Sequence, residues 1–134
     1  MIRVVQNERG VEALLMRGEE EVGHFTVSLG TTASVGIGID EEYRGKGHSI
    51  KLMRSVVDKL AEDGFASNLY VDTDASEGFW KHVGFRPNPL YNFDEAQREI
   101  EGAGYEMVIS FNDLKNYINN KYGSSGLLLG ERES

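Results

Sequence analysis

Residues 35–65 read "VGIGIDEEYRGKGHSIKLMRSVVDKLAEDGF", and the hydrophobic period of this stretch changes halfway along it. Its first part alternates branched apolar residues with glycine, which is the pattern of a strand. Through residues 49–63 the apolar positions instead recur every three or four residues, which predicts a helix that Gly64 terminates. The stretch therefore predicts a strand, a sharp turn and a helix in direct succession.

The turn itself, "RGKGHS" at residues 44–49, combines glycines with positive charge. The first amides of a helix have no intrahelical partner, and the helix dipole is positive at that end. Gly45 and Gly47 would let several amides converge on one phosphate or pyrophosphate group, while Arg44 and Lys46 add charge from the sides. The alternative is a tight basic turn that binds nothing.

Two common phosphate motifs are excluded by spacing. A Walker A loop requires Ser or Thr directly after Gly45-Lys46, where this chain has Gly47. A dinucleotide fingerprint requires a glycine at position 50, which is isoleucine, and an early βαβ unit, whereas the preceding segments read as hairpins.

Periodicity along the rest of the chain predicts an α/β or α+β domain with a mostly antiparallel sheet at its start. Strands are predicted near residues 2–6, 11–18, 22–30, 33–40, 67–73 and 105–111. Helices are predicted near residues 76–83, 92–101 and 112–123, in addition to residues 49–63.

Composition limits the class of protein. The chain has 134 residues, 40% of them hydrophobic, which suits one domain, residues 1–123, followed by a C-terminal tail at residues 124–134. No cysteine is present, and the net charge of −8 argues against direct binding to nucleic acid or to a membrane. The acidity suits a cationic partner, or merely maintains solubility. We expect a soluble, cytoplasmic protein without a membrane-spanning or secretory segment.

Residues 30–90 resemble the acetyl-CoA-dependent N-acetyltransferases of the GNAT superfamily. The resemblance lies in the 35–65 stretch quoted above and in "LYVDTDASEGFWKHVGF" at residues 69–85. It implies a mixed, mostly antiparallel central sheet with flanking helices, and acetyl-CoA as the cosubstrate. It also implies that the strand at 33–40 and the strand at 67–73 splay apart to admit the coenzyme.

The resemblance assigns cofactor-binding residues one by one. The turn would bind the pyrophosphate, and the preceding strand would meet the pantetheine arm through its backbone. The residues concerned are Ile37, Ile39, Arg44, Gly45, Lys46, Gly47, His48 and Ser49. Trp80 is the ninth predicted cofactor-binding residue, because Phe79 and Trp80 would line the acyl pocket; the alternative is that both belong simply to the core.

The chain departs from the family pattern in four places. The loop before the helix at residues 76–83 is shorter than the usual pattern and lacks its asparagine. Glu42 stands at the first position of the turn motif in place of Gln or Arg, which leaves the amide cradle intact, and Trp80 replaces a tyrosine whose hydroxyl commonly protonates the departing thiolate. An indole cannot supply that proton. The first predicted strand also passes directly into the second through "ERG", so the pair of helices often found there is expected to be missing.

Asp72 and His24 are the candidates for the group that deprotonates the amine, because both lie on predicted strands beside the expected splay. The competing interpretation is a strand-end carboxylate paired with a lysine and a solvated histidine. Histidines 24, 48 and 82 lack the spacing of metal ligands, so no metal is expected.

The sequence therefore predicts an N-acetyltransferase whose acceptor is an amine: a protein lysine or N-terminus, a polyamine or another cationic small molecule. Two alternatives remain. The chain could be a non-catalytic coenzyme A-binding or interaction module of the same fold, given Trp80. Its tail, with "GLLLG" at residues 126–130, could also support a homodimer.

Overall fold

A computed structural model describes residues 1–72, 77–91 and 104–121 of the chain. Within these ranges the chain forms seven strands and three helices. The strands are β1 (Ile2–Asn7), β2 (Gly10–Arg17), β3 (Glu20–Ser28), β4 (Ser34–Ile39), β5 (Asn68–Val71), β6 (Arg86–Pro87) and β7 (Met107–Ser110). The helices are α1 (His48–Glu62), α2 (Glu77–Val83) and α3 (Phe111–Lys121).

The strands form one sheet in the order β1-β2-β3-β4-β5-β7-β6. Every neighbouring pair is antiparallel except β4 and β5, which are parallel. The prediction of a mixed, mostly antiparallel sheet with flanking helices is therefore confirmed. The short strand β6 escaped prediction because two residues carry no hydrophobic period.

The first four strands form a continuous antiparallel meander. Asn7 pairs with Gly10 and Arg17 pairs with Glu20, so each of the first two hairpins turns through two residues. The amide of Arg9 donates a hydrogen bond of 2.8 Å to Oδ1 of Asn7, a side-chain contact that favours the turn. No helix separates β1 from β2, as the sequence predicted.

Helix α1 covers one face of this meander. Its buried residues are Ile50, Leu52, Met53, Val56, Val57 and Leu60. They meet the inward-facing residues of β2 and β3, among which Ala13, Phe25 and Val27 are fully buried. Gly64, with a φ of 79°, ends the helix, and the amide of Phe65 donates back to the carbonyl of Leu60 at 3.0 Å. The predicted helix is thus present one residue earlier than expected, at His48–Glu62.

Helix α3 packs beside α1 and completes the core. The rings of Phe65 and Phe111 meet edge to face with their centroids 5.1 Å apart. The sequence predicted that the last strand includes Phe111, but the strand ends at Ser110 and Phe111 begins the helix. The reason is a cap: the hydroxyl of Ser110 accepts a hydrogen bond of 3.1 Å from the amide of Asp113.

Two predicted features lie outside the described residues. They are the polar helix at 92–101 and the C-terminal tail at 124–134. Among the residues that are described, none of the helices has both the length and the hydropathy that crossing a bilayer requires.

Candidate functional site

The sheet opens between its two parallel strands. Ser34 of β4 is in register with Tyr70 of β5, and the amide of Tyr70 donates to the carbonyl of Ala33 at 2.9 Å. No other residue pair joins these strands within the described ranges, although β4 continues to Ile39. All six residues of β4 are partly exposed, in contrast to the buried residues of β2 and β3. Past this pair, the side of β4 that faces β5 has no ladder partner within the described residues, which is what the splay implied by the resemblance requires.

The chain leaves β4 through a single 3-10 turn at Glu41–Tyr43. The amide of Asp40 donates to the carbonyl of Val22 at 2.9 Å, which fixes the start of this turn against β3. The Nε of Arg44 then donates to the carbonyl of Ile39 at 2.8 Å. This bond folds the guanidinium back over the end of β4, so its positive charge lies at the opening of the sheet.

Two glycines shape the connection from this turn to α1. Gly45 and Gly47 have φ values of 73° and 81°, in the left-handed region that residues with a Cβ rarely adopt. Gly47 is the N-cap residue of α1, and no side chain caps the helix there. The first turn of α1 therefore faces the opening with its amide dipoles rather than with a capping side chain.

A cavity of about 590 Å³ occupies the space between the end of β4, the glycine turn, the start of α1 and the start of α2. Its lining residues are Ile37, Gly38, Ile39, Tyr43, Arg44, Gly45, Gly47, His48, Ser49, Gly78 and Phe79. Seven of the nine predicted cofactor-binding residues are in this wall, and Lys46 and Trp80 are not. The structure thus gathers residues from a strand, a turn and two helices around one concave, partly polar surface.

Trp80 lies in the core, and its neighbour Phe79 faces the cavity. Trp80 is 2% exposed, and its ring lies 5.0 Å from that of Phe79 and 5.1 Å from that of Phe85, measured between centroids. The side chains of adjacent helix residues point about 100° apart, which is why Trp80 is in the core while Phe79 lines the cavity.

Tyr43 is a site residue that sequence reasoning missed. It lines the cavity, its ring lies 6.3 Å from that of His48, and the Nζ of Lys46 lies 5.9 Å from its ring centroid. Lys46, which was predicted to bind the cofactor, therefore does not line the cavity itself but contacts the ring of Tyr43, which does. An aromatic residue directly before "RGKG" was the available signal in the sequence.

Arg17, at the end of β2, does not line the cavity but contacts the turn that does, and this contact was not predicted. The Nη1 of Arg17 lies 3.9 Å from Oε1 of Glu42, and a hydrogen bond with Tyr43, followed by the charges of Tyr43 and Glu42, raises the pKa of Arg17. These contacts connect the β2–β3 hairpin to the 3-10 turn. Nothing in the local sequence indicates them, because residues 17 and 42 are distant along the chain.

The two candidate bases occupy different surroundings. Asp72 is exposed, directly after the last residue of β5, and lines neither the cavity above nor the one described next. His24 is on β3, and its Nδ1 lies 3.7 Å from Oε2 of Glu21. It lines a second cavity of about 470 Å³, together with Glu21, Val22, Gly23, Gly38, Ile39, Asp40, Glu41 and Arg44. His82, on α2, is exposed.

Within the described parts of the chain, no group of three or more His, Cys, Asp or Glu side chains is arranged to hold a metal ion.

The chain matches a protein-family model. The model of the acetyltransferase (GNAT) family matches residues 10–85, which is more than half of the chain. No curated protein matches the chain by sequence.

Solved structures share the fold at low sequence identity. The ribosomal-protein-S18-alanine N-acetyltransferase from Escherichia coli has a TM-score of 0.51 at 21% identity, covering 79% of this chain and 72% of that chain. An acetyltransferase of the GNAT family from Staphylococcus aureus has a TM-score of 0.58 at 15% identity, covering 76% and 68%. N-acetylglutamate synthase from Neisseria gonorrhoeae, solved with coenzyme A and N-acetyl-glutamate, has a TM-score of 0.56 at 14% identity, covering 75% and 25%. At these identities the likeness concerns the fold.

Proposed function

Since the chain belongs to the GNAT acetyltransferase family, we propose that it is a cytoplasmic N-acetyltransferase that transfers an acetyl group from acetyl-CoA to an amine. The observation that carries this proposal is the 590 Å³ cavity, which joins the opening beside β4 to the glycine turn at the start of α1. Acetyl-CoA is a long thioester that carries a pyrophosphate. It fits a site that is apolar along β4 and rich in backbone amides and positive charge at the glycine turn.

The turn supplies what a pyrophosphate needs. Gly45 and Gly47 leave the backbone without side chains where it faces the cavity, and Arg44 and Lys46 provide positive charge in a chain whose net charge is −8. Hydrogen bonds from amides and a guanidinium to an anion are stronger than bonds between neutral groups. We therefore assign the pyrophosphate to the turn and the first turn of α1, at His48 and Ser49.

The strand supplies what the pantetheine arm needs. Past Ser34, the side of β4 that faces β5 has no ladder partner within the described residues, so its backbone groups face the cavity between Ile37 and Ile39. An extended amide-bearing arm can pair with such an edge as an added strand would. An amide of the same edge would also stabilise the oxyanion that forms when the amine attacks the thioester carbonyl.

The reaction requires a group that accepts a proton from the ammonium, but it can proceed without a tyrosine that protonates the leaving thiolate. An ammonium must lose a proton before its nitrogen can attack, for which Asp72 and His24 are the candidates. The burial of Trp80 leaves protonation of the leaving thiolate to the amine's second proton or to water. Because a thiolate is a stable leaving group near neutral pH, this loss slows the reaction without preventing it.

The burial of Trp80 also supports a second candidate, a module that binds coenzyme A without catalysing transfer. The two candidates make the same prediction for binding and opposite predictions for turnover. An acceptor-dependent release of free thiol from acetyl-CoA distinguishes them.

The test combines both measurements on the purified chain. Calorimetry would measure the affinity for acetyl-CoA, and a chromogenic disulfide would report thiol release with a panel of amines and basic peptides. The chain has no cysteine and so gives no background in that assay. Binding with acceptor-dependent release supports the enzyme, binding without release supports the module, and no binding at millimolar acetyl-CoA contradicts both.

A further inference from the structure

We propose that the chain forms a symmetric dimer in which β1 pairs antiparallel with β1 of a second copy, so that one sheet runs through both copies. The inference concerns an interaction surface and does not rest on the proposed function. Strand β1 (Ile2–Asn7) lies at one end of the strand order and has β2 as its only neighbour within the described ranges. An unpaired edge presents backbone donors and acceptors that another strand can bind.

The two edges of the sheet differ in their capacity to accept a strand. The edge opposite β1 is β6, which consists of Arg86 and Pro87 alone. A short strand that contains proline is a poor template, because proline has no N–H to donate. By contrast, β1 has six residues, no proline and an unbroken register with β2. Among the strands that the structure describes, only β1 therefore combines a free edge with enough length to bind another strand.

Exposed apolar side chains are concentrated at β1. The exposed large apolar residues of the described chain are Met1, Val4, Val5, Leu29 and Leu90. Three of these five lie on β1 or directly before it, and five of the six residues of β1 are exposed. Pairing with a second apolar strand would remove the two valines from water, which favours association.

The hydrogen bonds between Met1 and Met16 determine which residues of β1 face outwards. The amide of Met16 donates to the carbonyl of Met1 at 2.7 Å, and the N-terminal ammonium of Met1 donates to the carbonyl of Met16 at 3.2 Å. Such doubly bonded pairs alternate along an antiparallel ladder. The odd-numbered residues of β1 therefore direct their backbone groups towards β2. The even-numbered residues, Ile2, Val4 and Gln6, direct theirs outwards.

The outward residues make the edge self-complementary. They are spaced evenly about Val4, so a two-fold axis at this residue pairs Val4 with Val4 of the second copy and Ile2 with Gln6 of the second copy. This register uses the outward backbone groups of all three residues in both copies. A shift in either direction that keeps the same faces together leaves one of them unpaired, and a shift towards the N-terminus also sets Arg3 against Arg3.

The charges in this register are complementary. Arg3 is the one charged residue of β1, and it would lie opposite Val5 of the second copy. Val5 is paired on β2 with Glu12, whose Oε2 accepts a hydrogen bond of 2.7 Å from the hydroxyl of Thr26. Each arginine would therefore lie on the same face as the glutamate of the other copy, two strands away. This arrangement brings opposite charges together although each copy has a net charge of −8.

The proposed dimer leaves both candidate sites open. Strand β1 is three strands from β4, which is roughly 14 Å at ordinary strand spacing, and the 590 Å³ cavity lies at the end of β4. Acetyl-CoA affinity should therefore be the same in the monomer and the dimer, and either proposal can fail without the other. A single strand pair is a small interface, so we expect a dissociation constant in the micromolar range.

Sedimentation velocity from micromolar to millimolar concentration tests the association. We expect the mass to rise from that of one chain to that of two. Val4→Lys places two ammonium groups opposite each other at the axis and should raise the dissociation constant at least about tenfold. Leu128→Asp, in the C-terminal tail, is the control and should leave it unchanged. The mass of one chain at every concentration overturns the proposal, as does a dimer that Leu128→Asp dissociates and Val4→Lys does not.

Single cysteines test the register, because the chain has no cysteine of its own. Val4→Cys and Val5→Cys are matched variants, since the two valines are adjacent and are 43% and 39% exposed. At the axis, the Cα atoms of residue 4 in the two copies lie within the range of a disulfide, whereas residue 5 faces Arg3. Under mild oxidation Val4→Cys should form a covalent dimer at least about tenfold faster than Val5→Cys. Equal rates, or a faster reaction of Val5→Cys, overturn the proposed pairing.

Hydrogen exchange of the unaltered chain tests what covers the edge. The amide of Val5 faces β2 and should be protected at every concentration. The amide of Val4 faces outwards and should become protected only as the concentration rises into the range where the dimer forms. Protection of Val4 that is independent of concentration would show that a segment of the same chain covers β1, and this result overturns the dimer.

Discussion

Ser34 and Tyr70 form the single ladder pair between the parallel strands β4 and β5 within the described residues. In the sheet, every other neighbouring pair of strands is joined by two or more such pairs. Beyond Ser34, β4 has no ladder partner on this side within the described residues, and three of its residues, Ile37, Gly38 and Ile39, line the 590 Å³ cavity. This one residue pair is therefore the ladder contact between β1–β4 and β5–β7, and the opening of the sheet begins next to it.

The glycine turn should be sensitive to a single methyl group. Gly45 and Gly64 both have positive φ, 73° and 79°, and a Cβ at either would meet nothing within 4 Å. Alanine at either position should therefore lower the free energy of unfolding by about 1 kcal/mol through backbone strain alone. Only Gly45→Ala should also weaken acetyl-CoA binding, by about tenfold, because it displaces amides that face the ligand. Calorimetry showing equal affinities for the two variants would contradict the assignment of the turn.

Substitutions of Phe79 and Trp80 should have different effects on acetyl-CoA binding and on the free energy of unfolding. Trp80→Ala removes a buried ring and should reduce the free energy of unfolding by about 3–5 kcal/mol. Phe79→Ala should cost less stability, since this ring is only partly buried, and should weaken acetyl-CoA binding. Urea denaturation and calorimetry on the same preparations measure both effects. A larger loss of stability for Phe79→Ala than for Trp80→Ala would be inconsistent with the packing of α2.

Arg44 should contribute a salt-dependent part of cofactor affinity. Arg44→Gln removes a guanidinium at the cavity wall and should raise the Kd for acetyl-CoA by about tenfold or more at low salt, and by less at high salt. Arg54→Gln is the matched control, because Arg54 lies on α1 with its Nε 3.5 Å from Asp58 and does not line the cavity. The comparison requires calorimetry at two ionic strengths. An equal effect from Arg54→Gln would indicate a general charge effect instead of a specific contact.

Tyr117 should make the chain sensitive to alkali. Burial raises the pKa of Tyr117 above its usual value. The neutral phenol is thus favoured in the folded state, so its contribution to stability is complete below the pKa of the unfolded chain. That contribution is lost as pH rises from the unfolded to the folded pKa.

The free energy of unfolding should therefore fall more steeply above about pH 10 in the unaltered chain than in Tyr117→Phe. Urea titrations at a series of alkaline pH values give the two slopes. Parallel curves would show that the hydroxyl of Tyr117 does not contribute.

Local patterns were sufficient to predict most of the fold. The helical period of α1, the alternation in β3 and the absence of any segment between β1 and β2 are properties of neighbouring residues, and the sequence shows them directly. The boundary at Phe111 was missed because an apolar residue suits the end of a strand and the start of a helix equally well. The capping bond between Ser110 and Asp113 decides between them.

The walls of the candidate site were predictable where one segment forms them and unpredictable where distant segments meet. The glycine turn is contiguous, and so its place beside the start of α1 could be predicted from the sequence. The contact of Arg17 with Tyr43 depends on how the β2–β3 hairpin lies against the turn. The pairing of His24 with Gly38 depends on the register of β3 against β4. A shift of one residue would give His24 a different partner and place its side chain on the other face of the sheet.

The meander of β1 to β4 has a consequence for how the chain folds. Its hairpins join residues that are close in sequence, and such contacts form with a small loss of chain entropy. The pairing of Val71 with Met107 closes a much longer loop. We therefore expect β1 to β4 to form early and β5 and β7 to join late. The candidate site lies between these two parts of the sheet, so partly folded chains would have the glycine turn but no cleft, and would lack the proposed activity.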